Sequence, residues 1–187
     1  MRNDKTQISD SVVATLGRSR GAEEKLGLKV NVHIVHKRDG EVLADFWGEN
    51  LVTDRGDEII ATRLYDDAVN IVTGMKLGTG ATAAAKNGAG AGLVTYISGS
   101  NEALDAAATD ATKGAGAGWR TTYVCTWVPG DVTNGAIAEV AITNQTALTD
   151  TTSAVADTLA RYVFPSTIDK QAGDSLEVTW QIDVLGA

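Results

Sequence analysis

The sequence predicts an all-β protein: an antiparallel β-sandwich of jelly-roll type, with one short helix and an extended N-terminal arm. Three observations carry this. Apolar residues recur with period two over several short stretches, as half-buried strands require. Glycine is frequent (20) and proline scarce (2), which suits many strands joined by permissive turns. A single segment carries helix-start signals. At 187 residues the chain can bury a real core, and one domain plus an extension is the natural division. We place the arm at residues 1–28 and the sandwich domain at 29–187. An immunoglobulin-like sandwich is the runner-up, although its Cys–Trp–Cys core is missing.

The strongest strand comes last. In Asp174–Leu185, Leu176, Val178, Trp180, Ile182 and Val184 alternate with Ser175, Glu177, Thr179, Gln181 and Asp183. A one-residue slip would expose Trp180 and bury the acids, so the register is strongly fixed. The expected partner lies just upstream, a short strand at residues 161–164 ended by Pro165, which cannot donate to a ladder.

The arm has no sustained hydrophobic period. In it Arg2, Lys5, Arg18, Arg20 and Lys25 outnumber Asp4, Asp10, Glu23 and Glu24 by one. The whole chain carries −8, so the remainder is at −9. Such a terminus is either a loose tail or an arm that orders on a neighbouring subunit. In the second case Val12, Val13, Leu16 and Leu26 are the anchoring apolar groups, and Arg2, Arg18 and Arg20 meet acidic surface.

Residues 29–47 read as a hairpin. Val30, Val32 and Ile34 share a face, Asp39-Gly40 suits a tight turn, and Val42, Ala44 and Phe46 continue on the return strand. A helix follows over residues 55–65. Asp54 is its expected N-cap, Asp57 and Glu58 sit at its positive end, and Ile59, Ile60, Arg63 and Leu64 form a narrow face. Residues 74–80 are a strand running into a glycine turn. Two Ala/Gly stretches, 81–92 and 106–118, bracket residues 93–97 and suggest a local duplication or two loops. Residues 119–128 return to strand, with Tyr123, Cys125 and Trp127 on one face. Residues 135–142 form a lighter one, with Ala138, Val140 and Ile142 alternating. A Thr/Ala-rich loop, 144–157, precedes the closing pair. The first and last strands, both strongly patterned, are expected near each other in the core.

Chemistry is hard to find. His33 and His36 lie three apart on a strand, hence on opposite faces, and cannot share a metal. Cys125 reads as a small buried residue, and a lone cysteine forms no intramolecular disulfide, which suits a reducing cytoplasm. Asp66, Asp67, Asp105, Asp110, Asp150 and Asp157 are scattered, with no spacing that selects calcium binding or glycoside cleavage. Residues 78–80 and the Gly-Ala runs lack the Gly-Lys-Ser/Thr of a phosphate loop. Arg55-Gly56-Asp57 is better read as a helix start than as an adhesion tripeptide. Asn144-Gln145-Thr146 is a formal glycosylation acceptor, without a signal-peptide layout upstream. No catalytic residue, cofactor or metal is therefore expected. The acidic balance argues against nucleic acid as the main partner. No apolar run approaches the roughly 20 residues that span a bilayer. Sugar binding would need exposed aromatics, for which Trp47 and Trp119 are the candidates, since Trp127 and Trp180 read as buried.

Several of these segments resemble a group of tailed-bacteriophage virion proteins, described as capsid-decoration or tail-fibre-like. The likeness lies in the hairpin followed by "NLVT-x-x-G" (Asn50, Leu51, Val52, Thr53, Gly56) and a short helix. It continues in the "LGTG" strand, the aromatic strand before "GAIAEVAITN", and the closing "DSLEVTWQIDVL". It spans most of residues 29–187, and the Ala/Gly stretches depart from it. The resemblance implies a virion structural protein, not an enzyme. Within that class we expect a capsid decoration (cement) protein that stabilises the head shell, with the major capsid protein and sister subunits as partners, in a homotrimer. A tail or fibre component is the alternative, and a carbohydrate-binding receptor module comes after it.

Overall fold

The computed structural model of the chain describes residues 27–66, 71–106, 109–113, 118–144 and 155–185. The strands are β1 (Gly27–Arg38), β2 (Glu41–Val52), β3 (Gly74–Gly78), β4 (Glu102–Ala103) and β5 (Thr109–Lys113). They continue with β6 (Gly118–Trp127), β7 (Asn134–Thr143), β8 (Thr158–Lys170) and β9 (Asp174–Leu185), and helix α1 is Asp54–Thr62. They form a nine-stranded sheet in the order β4-β3-β7-β8-β2-β1-β9-β6-β5, antiparallel throughout. The sheet curls until its β4 end meets β6. There the Asp105 N–H donates to the Val124 carbonyl at 2.9 Å, and the Trp127 indole N–H to the Ser100 carbonyl at 2.9 Å. An all-β, antiparallel fold is what the sequence calls for, and the sheet that delivers it is barrel-like and nearly closed.

The hairpin forms as read. Asp39 and Gly40 both adopt positive φ (50° and 83°), the backbone that a tight two-residue hairpin turn needs and that Asp-Gly tolerates. β1 and β9 pair along twelve residues, from Gly27 with Leu185 to Arg38 with Asp174. The boundary at residue 28 therefore moves. Gly27 and Leu28 belong to β1, because they pair with β9 and Leu28 packs against the core. Leu176, Val178, Trp180 and Ile182 are buried as expected, together with Val32, Ile34, Cys125, Trp127, Leu77, Val140 and Ile142. Helix α1 starts one residue earlier than expected. Its N-cap is Thr53, whose hydroxyl accepts from the Gly56 N–H at 2.9 Å and donates to the Thr158 carbonyl at 2.7 Å. Thr53 thus caps the helix and ties it to β8, while Asp54 and Asp57 sit in the first turn.

Two further expectations fail. Pro165 does not end its strand, because β8 bulges around it. Glu139 pairs with Val163 but Ile137 with Ile168, so five steps on β8 span two on β7, and the missing N–H falls where no ladder bond is needed. Nor is β8 the neighbour of β9. β8 pairs with β7 and β2, whereas β9 lies between β1 and β6, so the short turn joins strands on opposite sides of the core. β7, whose Ala138, Val140 and Ile142 alternate as expected, is buried on both faces from Ile137 to Thr143. Its second face is covered by the first Ala/Gly stretch and the residues after it.

Trp180 fills the centre of this core and is completely buried. Replacing it with Ala should cost roughly 3–5 kcal/mol in denaturant unfolding, the range for emptying a large aromatic site. Glu177→Ala, on the outward face of the same strand, should change stability little.

Candidate functional site

The candidate surface is built on β2. Cross-strand partners share a face, and the outward rows across β2, β1, β9 and β6 follow from the register. Trp47, His33, Thr179 and Val124 form one row, Asp45, Val35, Glu177 and Thr126 the next, and Glu49, Asn31, Gln181 and Thr122 a third. Trp47 is 56% exposed and stacks on His33, with ring centroids 4.2 Å apart and planes 1° from parallel. Asp45 accepts from His33 Nε2 at 2.7 Å and so fixes the imidazole beneath the indole. Of the eleven exposed large apolar residues among the described ones, four (Val42, Leu43, Trp47 and Leu51) lie on β2. The acids Glu41, Asp45 and Glu49 are exposed on the same strand. This concentration of apolar and acidic groups sets β2 apart.

Among the described residues its backbone edge is open as well. Among the described residues, β2 pairs with β1 over residues 41–50, while β8 joins it only at Leu51 and Val52. Beyond that junction, side chains fill the gap. Phe46 meets Phe164 edge-on at 5.9 Å, and Tyr162 presses against Gly48, where any side chain would collide with the phenol. A cleft of about 550 Å³ opens beside the junction, lined by Glu49, Asn50, Leu51, Ala83, Tyr162 and Val163. Asn50 Nδ2 is buried at its wall without a hydrogen-bond partner among the described residues.

The residues singled out in the sequence are distributed as follows. Arg2, Val12, Val13, Leu16, Arg18, Arg20 and Leu26 lie outside the described residues. So do Asp67, Asp150, most of the loop after Asn144, and the Gly-Ala-Gly-Ala run before β6. Trp119, though exposed, pairs with Val184 on the inward row, so it and Trp47 lie on opposite faces of the sheet and do not build one site. Cys125 is buried, its thiol donates weakly to the Glu102 carbonyl at 3.6 Å, and burial pushes its pKa well up. Asp105 is engaged by the backbone N–H and hydroxyl of Thr126. No group of three or more His, Cys, Asp or Glu that could hold a metal occurs among the described residues. No helix among them is long and apolar enough to cross a membrane.

What the sequence reading missed are buried charges. Glu139 and Arg161 are fully buried and joined Oε2 to Nε at 2.5 Å. Glu139 Oε1 also accepts the N–H groups of Gly80 (2.8 Å) and Thr95 (3.0 Å), and Arg161 Nη1 donates to the Gly90 carbonyl at 3.2 Å. The pair thus pins the Ala/Gly segment onto β7 and β8. Asp174 is closed off from solvent by its own ligands. Arg38 binds both its oxygens (2.7 and 2.8 Å), and His36 Nε2 and the Gln171 N–H donate to Oδ2 at 2.8 Å each. Arg120 grips Asp183 in the same two-pronged way, at 2.6 and 2.8 Å. Comparison with protein-family models, with curated proteins and with solved structures gives no match for this chain.

Two predictions follow from these charges. Removing one partner of a buried pair strands the other, at a typical cost of about 3–5 kcal/mol, so Glu139→Gln should destabilise strongly in thermal or denaturant melts. Proteolysis should also cut sooner within residues 80–95. Asp174, held mainly by the Arg38 hydrogen bonds, has its pKa depressed well below the usual carboxylate range, and Asp183 is lowered by Arg120. A folded-state pKa below the unfolded one means the unfolded chain takes up protons first as pH falls. The stabilisation is present above about pH 4 and drains away below it. Asp174→Asn should therefore melt lower at pH 7 and lose less stability than wild type between about pH 4 and pH 2.

Proposed function

We propose that the chain is a structural protein of a tailed-bacteriophage virion, and within that class a capsid decoration protein that binds and stabilises the head shell. Its partners in this reading are the major capsid protein and sister subunits in a trimer. The observation that carries it is the β2 surface. Exposed Val42, Leu43, Trp47 and Leu51 beside three acids and an open backbone edge suit a protein partner better than water. The segments that resemble the phage group support the same reading. They supply the hairpin, the Thr53-capped helix, β3, β6, β7 and β9, which make up most of the framework. In this reading the sheet's two halves, β5-β6-β9-β1-β2 and β4-β3-β7-β8, are the leaves of a jelly-roll-type sandwich joined at the end of β2.

Residues 1–26 enter the barrel directly at Gly27, the first residue of β1. In this reading, ordering an arm of this length costs about 1–2 kcal/mol per residue, which contacts with a neighbour would offset. A second reading, a carbohydrate-binding module, is favoured by the Trp47–His33 stack, whose free indole face could receive a sugar ring.

Deleting residues 1–26 should leave a folded domain with nearly unchanged melting temperature and weaken attachment to the particle. The check is to mix full-length and truncated protein with undecorated particles and count bound copies. Equal occupancy would discard the arm as an attachment device. A few copies at the tail, rather than hundreds over the head, would select the fibre alternative. Binding to a glycan panel that is abolished by Trp47→Ala would select the carbohydrate module.

A further inference from the structure

We propose that residues 11–20 of one copy add as a strand to the open edge of β2 in a second copy. This deepens the reading of residues 1–26 as a partner-binding arm and rests on it.

The receiving edge is defined by what it lacks and what it carries. Residues 41–50 of β2 are paired on the β1 side only, among the described residues. A strand in that state presents a row of N–H and C=O groups that an extended segment can take up. Every charged residue on β2 is an acid: Glu41, Asp45 and Glu49. Residues 11–20 (SVVATLGRSR) fit it in length and in character. Its apolar residues are Val12, Val13, Ala14 and Leu16, and the β-branched Val12, Val13 and Thr15 suit an extended strand although the segment has no sustained alternation. Arg18 and Arg20 are the only charges in the segment. A segment whose only charges are basic therefore meets a strand whose only charges, Glu41, Asp45 and Glu49, are acidic, with β8 side chains approaching that strand at Phe46 and Gly48.

Two other occupants are disfavoured on physical grounds. Pairing of β2 with β2 from a second copy would set acids against acids, and like charges across a strand pair are destabilising. The chain's own arm would start from Gly27, which lies beside the exit end of β2, since Val30 pairs with Asn50. To reach the open edge it would have to cross the place where Leu51 and Val52 already pair with β8 and Thr53 leads into α1. The hairpin end, where Val42 and Leu43 are about half exposed, is open to a neighbour.

The test uses the full chain in two populations, one carrying Ala14→Cys and the other Leu43→Cys, mixed and oxidised gently. Native Cys125 is completely buried and does not compete. The mixed cross-linked dimer should form several-fold more than when Gln181→Cys, at the middle of the same outward face, replaces Leu43→Cys. Its yield should fall with added salt. A yield no higher than this control, at the highest soluble concentration, overturns the proposal. So does a chain carrying both cysteines that closes on itself at high dilution. Particle binding is scored separately. Cross-linking without particle binding keeps the β2 assignment and discards the decoration reading. Particle binding without cross-linking puts the arm on the shell instead of on β2.

Discussion

Strand β9 is the constraint on which the rest of the barrel depends. It is hydrogen-bonded along both edges, to β1 over twelve residues and to β6 over ten. Its register is held by more than the alternation of its side chains. At its start Arg38 of β1 clasps Asp174, and near its end Arg120 of β6 clasps Asp183. Each clasp joins cross-strand partners, so a slip on either side would break a two-pronged charged bond as well as expose Trp180. Paired arginine–carboxylate geometry has the directionality that apolar burial lacks. The hydrophobic row decides which face is inside, and the clasps add a specific alignment along the strand axis.

The opposite side of the barrel is organised differently. There the covering material is the Ala/Gly segment after β3, which has few side chains large enough to pack. A buried carboxylate does what apolar side chains cannot. Glu139 gathers backbone N–H groups from Gly80, Val94 and Thr95 and balances its charge on Arg161. Gly78 and Gly80 make this possible, since a side chain at either would collide with that carboxylate. Small residues are used here so that backbone can approach the charge. β7 consequently loses its solvent-facing side, and the alternation of Ala138, Val140 and Ile142 ceases to describe its burial.

Between these two halves the sheet is closed by hydrogen bonds at one junction and by side chains beyond it. Leu51 and Val52 pair with β8, and then Phe46, Phe164 and Tyr162 lie between the two strands. That arrangement leaves β2 as an edge within an almost continuous barrel. The surface assigned to a partner is therefore a consequence of how the barrel closes.

The sequence by itself determined the elements whose signals are local. The Asp39-Gly40 turn, the strand limits of β9, the burial of Trp127 and Trp180 and the exposure of Trp47 all follow from turn chemistry and period two, whereas Trp119, on the inward row of β6, is exposed against that pattern. The tertiary structure decided everything that depends on which strands meet. Adjacency in sequence favoured β8 as the partner of β9, but the turn between them crosses the core, and no local pattern records that. Pro165 reads as a strand end until the bulge opposite Ile137 makes room for it. Glu139, Arg161, Asp174 and Arg38 look like solvated charges one at a time, because their partners lie 22 and 136 residues away in the chain. The edge that β2 leaves unpaired among the described residues was equally invisible. A strand's pattern says which face is buried, whereas an unpaired edge is a property of its neighbours.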